Sequence, residues 1–480
     1  VQRASHRPQS PGPAGARWPR VTVQLPLYCE RFVAERLLRA VARLDYPRDL
    51  LEIQVLDDST DATRDIVDRV ARELRAEGLD VAVVRREGRE GYKAGALQVG
   101  LGTATGELIA IFDADFVPPP RFLRDTVGHF DDPRVGVVQA RWGHLNRGAS
   151  LLTFAQAALL DGHFVVEQAA RAASGRYFNF NGTAGVWRRA AIDDAGGWQA
   201  DTITEDLDLS YRAQLRGWRF VYRADLVADA ELPEDLGGLR SQQHRWAKGA
   251  IECLRKLARP VLVARVPLRL KAAALAHLSA NLAYPVMLVV ALTMPLVALA
   301  RQHVDATPMA GVDAALLLVG FAPVVLFYAV ASRGAGASWP RAAAAALAAI
   351  ALDIGLSAHK ARAVVEGLLG RQTAFVRTPK FALVTAEQAR RSRYLDRVPR
   401  AGVAEAALAA WAVFGGLQLG NGPLPTWSPL PFLLLFASGF GAVATTAVLQ
   451  SARARLALPA ATAAALEASP DEAGGPHRRR

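Results

Sequence analysis

The sequence predicts an α/β domain built on a mostly parallel sheet, followed by a helical region that crosses a membrane. Three observations carry this. Over residues 21–253, short β-type runs alternate with helix-type stretches, the pattern of repeated β-α-β units. Beyond residue 271 the apolar runs are long: 272–300, 314–332 and 406–452 hold no charged residue, and about 20 apolar residues suffice to span a bilayer. The net charge of +12 is not spread evenly, because 1–20, 254–271, 360–400 and 453–480 carry the whole basic excess. These are linkers and tails, two of which abut apolar runs. That is the pattern of cytoplasmic membrane flanks and not of a nucleic-acid-reading face, so lipid is the expected surface and nucleic acid is not.

A chain of 480 residues that is 51% hydrophobic has room for two or three domains and is not generally disordered. Its two cysteines, Cys29 and Cys253, cannot build a disulfide framework or a four-ligand zinc site, which suits a reducing compartment.

Taken in order, residues 1–20 are rich in Pro, Arg and Gly and read as a disordered basic N-terminus without the apolar core of a signal peptide. The first residue is Val, which leaves room for a missing N-terminal span. Residues 21–253 form the cytoplasmic domain, with strands expected at 21–28, 52–57, 81–85, 107–112 and 135–142. Helices are expected near 31–44, 61–77 and 92–103. A basic interfacial linker (254–271) leads to a transmembrane pair (272–332). Residues 333–405 are expected to hold an interfacial helix and a basic segment. A second transmembrane pair (406–452), broken at 421–425, precedes a disordered tail (453–480). The stretch 342–359 is apolar but contains Asp353. Crossing there would put the basic 360–400 segment opposite the basic 254–271 segment, so it is expected at the interface or against the bundle, leaving four spans.

In mostly parallel sheets ligands bind at the carboxyl ends of strands, and the acidic motifs sit there. Asp57 and Asp58 end the second strand; they could bond a base or ribose, and Asp58, Ser59 or Asp61 could equally cap the next helix. Asp113 and Asp115 end the fourth strand, where residues two apart point to one face and two carboxylates suit Mg²⁺ or Mn²⁺ on a substrate diphosphate. Lys93 opens a helix between glycines, apt for a phosphate or simply solvated. Thr204-Glu205-Asp206 starts another helix: Thr204 fits a cap, and a carboxylate near the cation site could take a proton from a sugar hydroxyl. In 242–246, Arg245 could clamp a diphosphate, Trp246 could stack on a sugar face and Gln242 could bond hydroxyls; an interfacial Trp/Arg helix would look the same. Taken alone, 179–185 and 375–380 read as turns.

In sequence order, VLDDST (55–60), YKAGAL (92–97), FDADF (112–116), NFNGTAGVWR (179–188), ITEDLDL (203–209) and QQHRW (242–246) closely resemble the processive family-2 glycosyltransferases. Among these the sequence is most similar to the cellulose synthase-like A and C branches (mannan and glucan backbone synthases) and their bacterial relatives. The resemblance implies a GT-A fold, a nucleotide-diphosphate-sugar donor such as UDP-glucose or GDP-mannose, and an inverting displacement. By position, Asp57 and Asp58 would contact the nucleoside and Lys93 the donor. Asp113 and Asp115 would hold the metal, Asp113 and Arg245 the diphosphate. Asp206, with Glu205 beside it, would be the general base. Gln242, Trp246, Asn181, Gly182 and Thr183 would face the acceptor. Phe375, Thr378 and Lys380 resemble a gating segment, although Arg377 interrupts its simpler Val-Thr pattern.

The expected activity is extension of a β-linked hexose polysaccharide, glucan or mannan, by an enzyme of the plasma (inner) membrane with its catalytic domain in the cytoplasm. The alternative is addition of one or two sugars to a lipid acceptor. A decayed catalytic domain serving as a scaffold is a third class, opposed by the intact Asp113, Asp115, Asp206 and Arg245.

Overall fold

A computed structural model describes residues 18–304, 307–371, 402–419 and 427–456. The α/β domain is a seven-stranded sheet in the order β3-β2-β1-β4-β6-β5-β7. Its strands are β1 (Val21–Leu27), β2 (Leu51–Asp57), β3 (Asp80–Val84), β4 (Leu108–Ile111), β5 (Val135–His144), β6 (Gly185–Arg188) and β7 (Arg219–Ala230). β1, β2, β3 and β4 are mutually parallel, as expected. β6 and β7 were not expected, and β6 runs antiparallel to both β4 and β5. Its four residues are too few for periodicity to register, and the polar, Gly-containing loop before it masks its start.

Helices cover both faces. α1 (Ala34–Ala42) and α2 (Thr63–Ala76) pack Leu37, Leu38, Val67 and Val70 on one face. On the other lie α3 (Tyr92–Thr103) and, later in the chain, α5 (Glu205–Leu215), with Leu97, Trp187 and Leu209 in the core. α4 (Leu151–Asp161) starts with a capping box: the Ser150 hydroxyl accepts from Thr153 N–H at 3.1 Å, and the Thr153 hydroxyl accepts from Ser150 N–H at 3.0 Å. It continues into a π-helical stretch, Gly162–Gln168.

α6 (Leu236–Val263) runs through the expected domain boundary at 253/254 as one helix, so the basic linker is largely helical. The bundle follows: α7 (Leu268–Ser279), α8 (Ala283–Ala300), α9 (Thr307–Gly334), α10 (Trp339–Leu368), α11 (Val403–Leu419) and α12 (Leu430–Leu456). Among the described residues four helices are long and apolar enough to cross a membrane: Leu268–His303, Pro308–Gly334, Trp339–Leu368 and Leu430–Ala452. The set differs from the expected one, because α10 qualifies and α11 is shorter. α10 is also the most enclosed of the four: Ala345 and Ala349 pack on Ala158 of α4, while Ala363 and Val364 pack on Ala247 and Ile251 of α6. It crosses α12 with bare backbone, since a Cβ on Gly355 would lie 2.4 Å from the carbonyl oxygen of Gly439. At one end of the bundle Arg301 pairs with Asp313 (Nη2 to Oδ1, 3.0 Å) and donates to the Ser428 hydroxyl at 2.6 Å, joining the ends of α8, α9 and α12.

Candidate active site

Because β6 is reversed, its first residue lies beside the last of β4 (Gly185 opposite Ile111). The loop before β6 therefore joins the carboxyl ends of β1, β2 and β4 and the N-termini of α3 and α5 around one cleft, with α6 along its wall. Asp58, Lys93, Asp113, Asp115, Asn181, Gly182, Glu205, Asp206, Gln242, Arg245 and Trp246 all line it. Residues spread over nearly 190 positions are brought to one place.

β4 ends at Ile111, and the chain turns at once: Phe116 N–H donates to the Asp113 carbonyl at 3.1 Å. Asp113 and Asp115 thus share the cleft through a tight turn and not through the extended geometry expected of them. Lys93, in the first turn of α3, donates to the Asp113 carboxylate and to the Gly182 carbonyl (2.9 Å). Gly95 lets that helix begin close to the preceding loop, since a Cβ there would lie 2.0 Å from the Glu90 carbonyl oxygen. Gly182 has φ +79°, and a Cβ on it would meet Asp206 Oδ2 at 3.1 Å. Asp206 Oδ1 accepts from Leu207 N–H at 2.8 Å. Arg245 donates to the Ser241 hydroxyl at 3.1 Å, one turn back on α6.

Charge is concentrated here. Burial, and then the neighbouring Glu205 carboxylate, push Asp206 up to about 7. Burial also raises Glu205, against the pull of Lys93. Burial opposes the Lys93 ammonium, but Asp113 and Glu205 hold it above the ordinary lysine value. Burial lowers Arg245 to about 10 despite Glu205 and Asp113. Perturbed groups of both signs in one cleft mark a functional site.

Two expected residues sit behind the cleft. Asp57 is buried, accepting from Ser59 N–H and from Arg85 Nε, both at 3.0 Å, and shapes the turn instead of lining the cleft. Thr183 is fully buried, and its hydroxyl accepts from Asp113 N–H at 2.9 Å. Asp58 is in the cleft, paired with Arg86. Asp61 is the one of the proposed caps that meets α2, its Oδ1 accepting from Thr63 N–H at 3.0 Å. Thr204 stands at the start of α5 with no side-chain cap bond. Phe375, Thr378 and Lys380 lie outside the described residues. Sequence reading missed Arg89, whose guanidinium sits 3.2 Å from the Tyr28 ring centroid, and Trp142, and gave Tyr92 no role of its own. Tyr92 opens the YKAGAL motif, and Arg89 lies three residues before it.

Asp113 and Asp115 offer the hard oxygen donors that Mg²⁺ and Mn²⁺ take. Among the described residues no group of three or more His, Cys, Asp or Glu side chains is placed to hold a metal ion. Two carboxylates leave coordination positions for a substrate phosphate, and the Lys93 ammonium on Asp113 shows that this position receives positive charge. The residues fit a divalent cation.

A second cavity adjoins the cleft, sharing Asn181, Asp206, Gln242 and Trp246 with it and continuing among the bundle helices past Phe327 and Tyr328. His163, in the π-helical stretch, lines it and bonds Asn181 Oδ1 at 2.9 Å.

Residues 19–249 match the family model described as glycosyltransferase like family 2. A probable glucomannan 4-beta-mannosyltransferase 7 from Oryza sativa subsp. japonica is 46% identical over 253 residues, 52% of this chain and 43% of its own length. Glucomannan 4-beta-mannosyltransferase 2 from Arabidopsis thaliana is 44% identical over 252 residues, 52% of this chain and 47% of its own length. The match spans somewhat under half the length of these curated relatives. The mannosyltransferase PcManGT from Pyrobaculum calidifontis, solved in complex with GDP-Man and Mn²⁺, superposes with a TM-score of 0.50 at 25% identity. That superposition covers 77% of this chain and 93% of the other.

Proposed function

We propose that residues 19–249, which match the model of glycosyltransferase like family 2, are a glycosyltransferase domain of GT-A fold, and that the chain extends a β-1,4-linked mannan or glucomannan from GDP-mannose. The linkage is taken from the plant relatives and the donor from the archaeal mannosyltransferase. We place the enzyme in the plasma (inner) membrane with its sheet domain on the cytoplasmic side, on the strength of the basic flanks. α10, which touches α4 and α6 along its length, is read as lying under that domain.

In the reaction the non-reducing end of the acceptor rests against the Trp246 ring. A hydroxyl there faces Asp206, whose raised pKa of about 7 suits it to take the proton as the oxygen attacks the anomeric carbon. The bond to the nucleoside diphosphate breaks as the new one forms, and the Lys93 and Arg245 cations offset the leaving group's growing charge. Asp113 and Asp115 would hold a divalent cation, which supplies further neutralisation of the diphosphate when bound. Asn181 and Gly182 line the floor between donor and acceptor, and His163 fixes the Asn181 amide.

The observation that carries polymer synthesis is the second cavity. It begins at Asp206 and Trp246, is walled by aromatic, aliphatic and polar side chains and leads among the bundle helices. A glycan, with apolar ring faces and a rim of hydroxyls, matches this mixed lining, whereas a lipid tail would leave Gln156, Glu167, Asn281 and Asp353 facing hydrocarbon. The test uses the full chain in lipid vesicles with Mg²⁺ or Mn²⁺ and radiolabelled GDP-mannose or UDP-glucose in separate reactions. A long, mannanase-sensitive product from GDP-mannose is expected. A short organic-soluble product would mean a lipid acceptor, and label from UDP-glucose alone would overturn the donor.

A further inference from the structure

Beside Asp206, a run of hydrogen bonds fixes the place of one proton. The Asn179 and Phe180 carbonyls can only accept, and they set the sense of the amides around them. Gln168 Nε2 and Asn181 Nδ2 each point at the Asn179 carbonyl (3.4 Å), and Asn179 Nδ2 donates to the Phe180 carbonyl at 3.3 Å. Asn181 Nδ2 also donates to Gln168 Oε1, and Asn181 Oδ1 accepts from Asn179 Nδ2, both at 3.0 Å. His163 Nε2 lies 2.9 Å from that same Oδ1, so it is a donor. Its Nδ1 lies 3.1 Å from Glu167 Oε2, and Arg171 Nε donates to the other oxygen of that carboxylate at 3.0 Å. A ring with an acceptor at each nitrogen is an imidazolium.

Release of one proton would turn a ring lone pair toward either the Glu167 carboxylate or Asn181 Oδ1. Turning the Asn181 amide over would answer the second case only by giving up its bonds to Gln168 and Asn179. The Asn181 main-chain N–H is held separately, by Gln139 Oε1 at 3.0 Å, so the ring governs where the amide points and not where the loop runs. Asn181 lines the cleft with Asp206, and one of its amide N–H groups leans on a carbonyl at a long 3.4 Å, which leaves it for a sugar hydroxyl. His163 and Glu167 also sit in the π-helical stretch, a departure from α geometry that is frequent at functional sites. We propose that His163, as an imidazolium, is a positioning residue that aims the Asn181 amide at the acceptor, and that acceptor affinity is lost as rising pH takes its proton. This rests on the glycosyl-transfer reading and adds a protonation state to it.

Burial disfavours the charged ring, but Glu167 and Asn181 more than offset it and hold the pKa above the ordinary histidine value. Affinity is therefore present below that raised pKa and lost above it. Other charged and titratable groups face the ring. Glu167 and its partner Arg171 stand beside it, while Asp206 of α5, His277 of α7 and the Lys360–Asp353 pair of α10 line the same cavity. The Tyr284 and Tyr328 phenols of α8 and α9 are there too, neutral over the range used. Asp206 and His277 are the groups that compete for the assignment near neutrality, and the test removes each.

The test reads binding, which needs no turnover, with the full chain in lipid nanodiscs. Quenching of tryptophan fluorescence, to which Trp142 and Trp246 of the cleft contribute, gives Kd for β-1,4-mannotriose from about pH 6 to about pH 9, the range that brackets histidine titration. In the unaltered protein Kd should rise at least about fivefold across that range, the worth of one hydrogen bond. Glu167→Gln removes the carboxylate that holds the proton, so the rise should move to lower pH. His163→Gln keeps a side-chain N–H for Asn181 but cannot titrate, so its Kd should not change with pH. The rise should persist in Asp206→Asn and in His277→Gln. A flat Kd in the unaltered protein, no binding at any pH, a rise left in place by Glu167→Gln, or a rise abolished by Asp206→Asn or His277→Gln overturns the assignment. Should either histidine variant misfold, the shift in Glu167→Gln decides alone. Sugar transfer from GDP-mannose is assayed on the unaltered protein. Binding that weakens with pH but without transfer would remove the enzymatic reading and leave His163 in its role, while transfer with binding indifferent to pH would do the reverse.

Discussion

Asp206 and Glu205 occupy successive positions in the first turn of α5, and their coupling can be measured. Asp206 is lifted from an ordinary 3.8 to about 7, burial being the larger cause and the Glu205 charge the second. Replacing Glu205 by Gln removes a like charge while preserving shape, so it should return less than half of that rise, on the order of one pH unit or about 1.4 kcal/mol. The sign follows from the role. A general base works deprotonated, so kcat/KM falls as pH drops through the Asp206 pKa. In Glu205→Gln this acidic limb should move to lower pH. Lys93→Met removes a stabilising cation and should move the same limb upward, on top of a lower maximal rate. The assay is the initial rate of sugar transfer between pH 5 and 9 at one saturating metal concentration, so that any effect of the cation is common to all variants. An acidic limb that stays in place in Glu205→Gln, or rises, would refute the assignment of Asp206 as base and Glu205 as its neighbour.

Four further outcomes are expected. Gly182→Ala would force a left-handed backbone on alanine, costing about 1–2 kcal/mol, and place a methyl 3.1 Å from Asp206 Oδ2; thermal melting and kcat should both fall, kcat by more than tenfold. Chelation should abolish transfer and Mn²⁺ or Mg²⁺ restore it. Asp115→Asn should raise the half-saturating metal concentration by at least about tenfold, because even groups outside the ligand shell cost that much. Arg240 and Glu405, 10% and 7% exposed, pair at 2.6 Å; Glu405→Ala should cost about 3 kcal/mol in denaturation, and adding Arg240→Met should recover most of it.

The cleft was largely legible in the sequence because its residues lie at strand ends and helix starts, where carboxylates and a lysine have few other reasons to gather. What was not legible depended on direction and on distant partners. Asp57 and Asp58 are adjacent and chemically identical, yet one turns inward to Arg85 and the other out to the cleft; Arg85 is 28 positions away. Thr183 reads as a loop hydroxyl until β6 reverses and carries it beneath Asp113. Asp353 stood out as the lone acid in an alanine-rich run, but its partner Tyr284 lies 69 positions away on another helix, beyond the reach of any periodicity.

α6 is a single unbroken element with two attachments. Gln242, Arg245 and Trp246 face the reacting groups, while Ala247 and Ile251 are locked to α10 and Leu239 is packed with Val443 of α12. It acts as a stiff lever, with no joint between the leaving-group clamp and the bundle. A bilayer thinner or thicker than the bundle makes its helices tilt, and that tilt would be delivered to Arg245 as a displacement. Turnover should therefore depend on acyl-chain length, and the lipid becomes a regulator of the chemistry as well as its support.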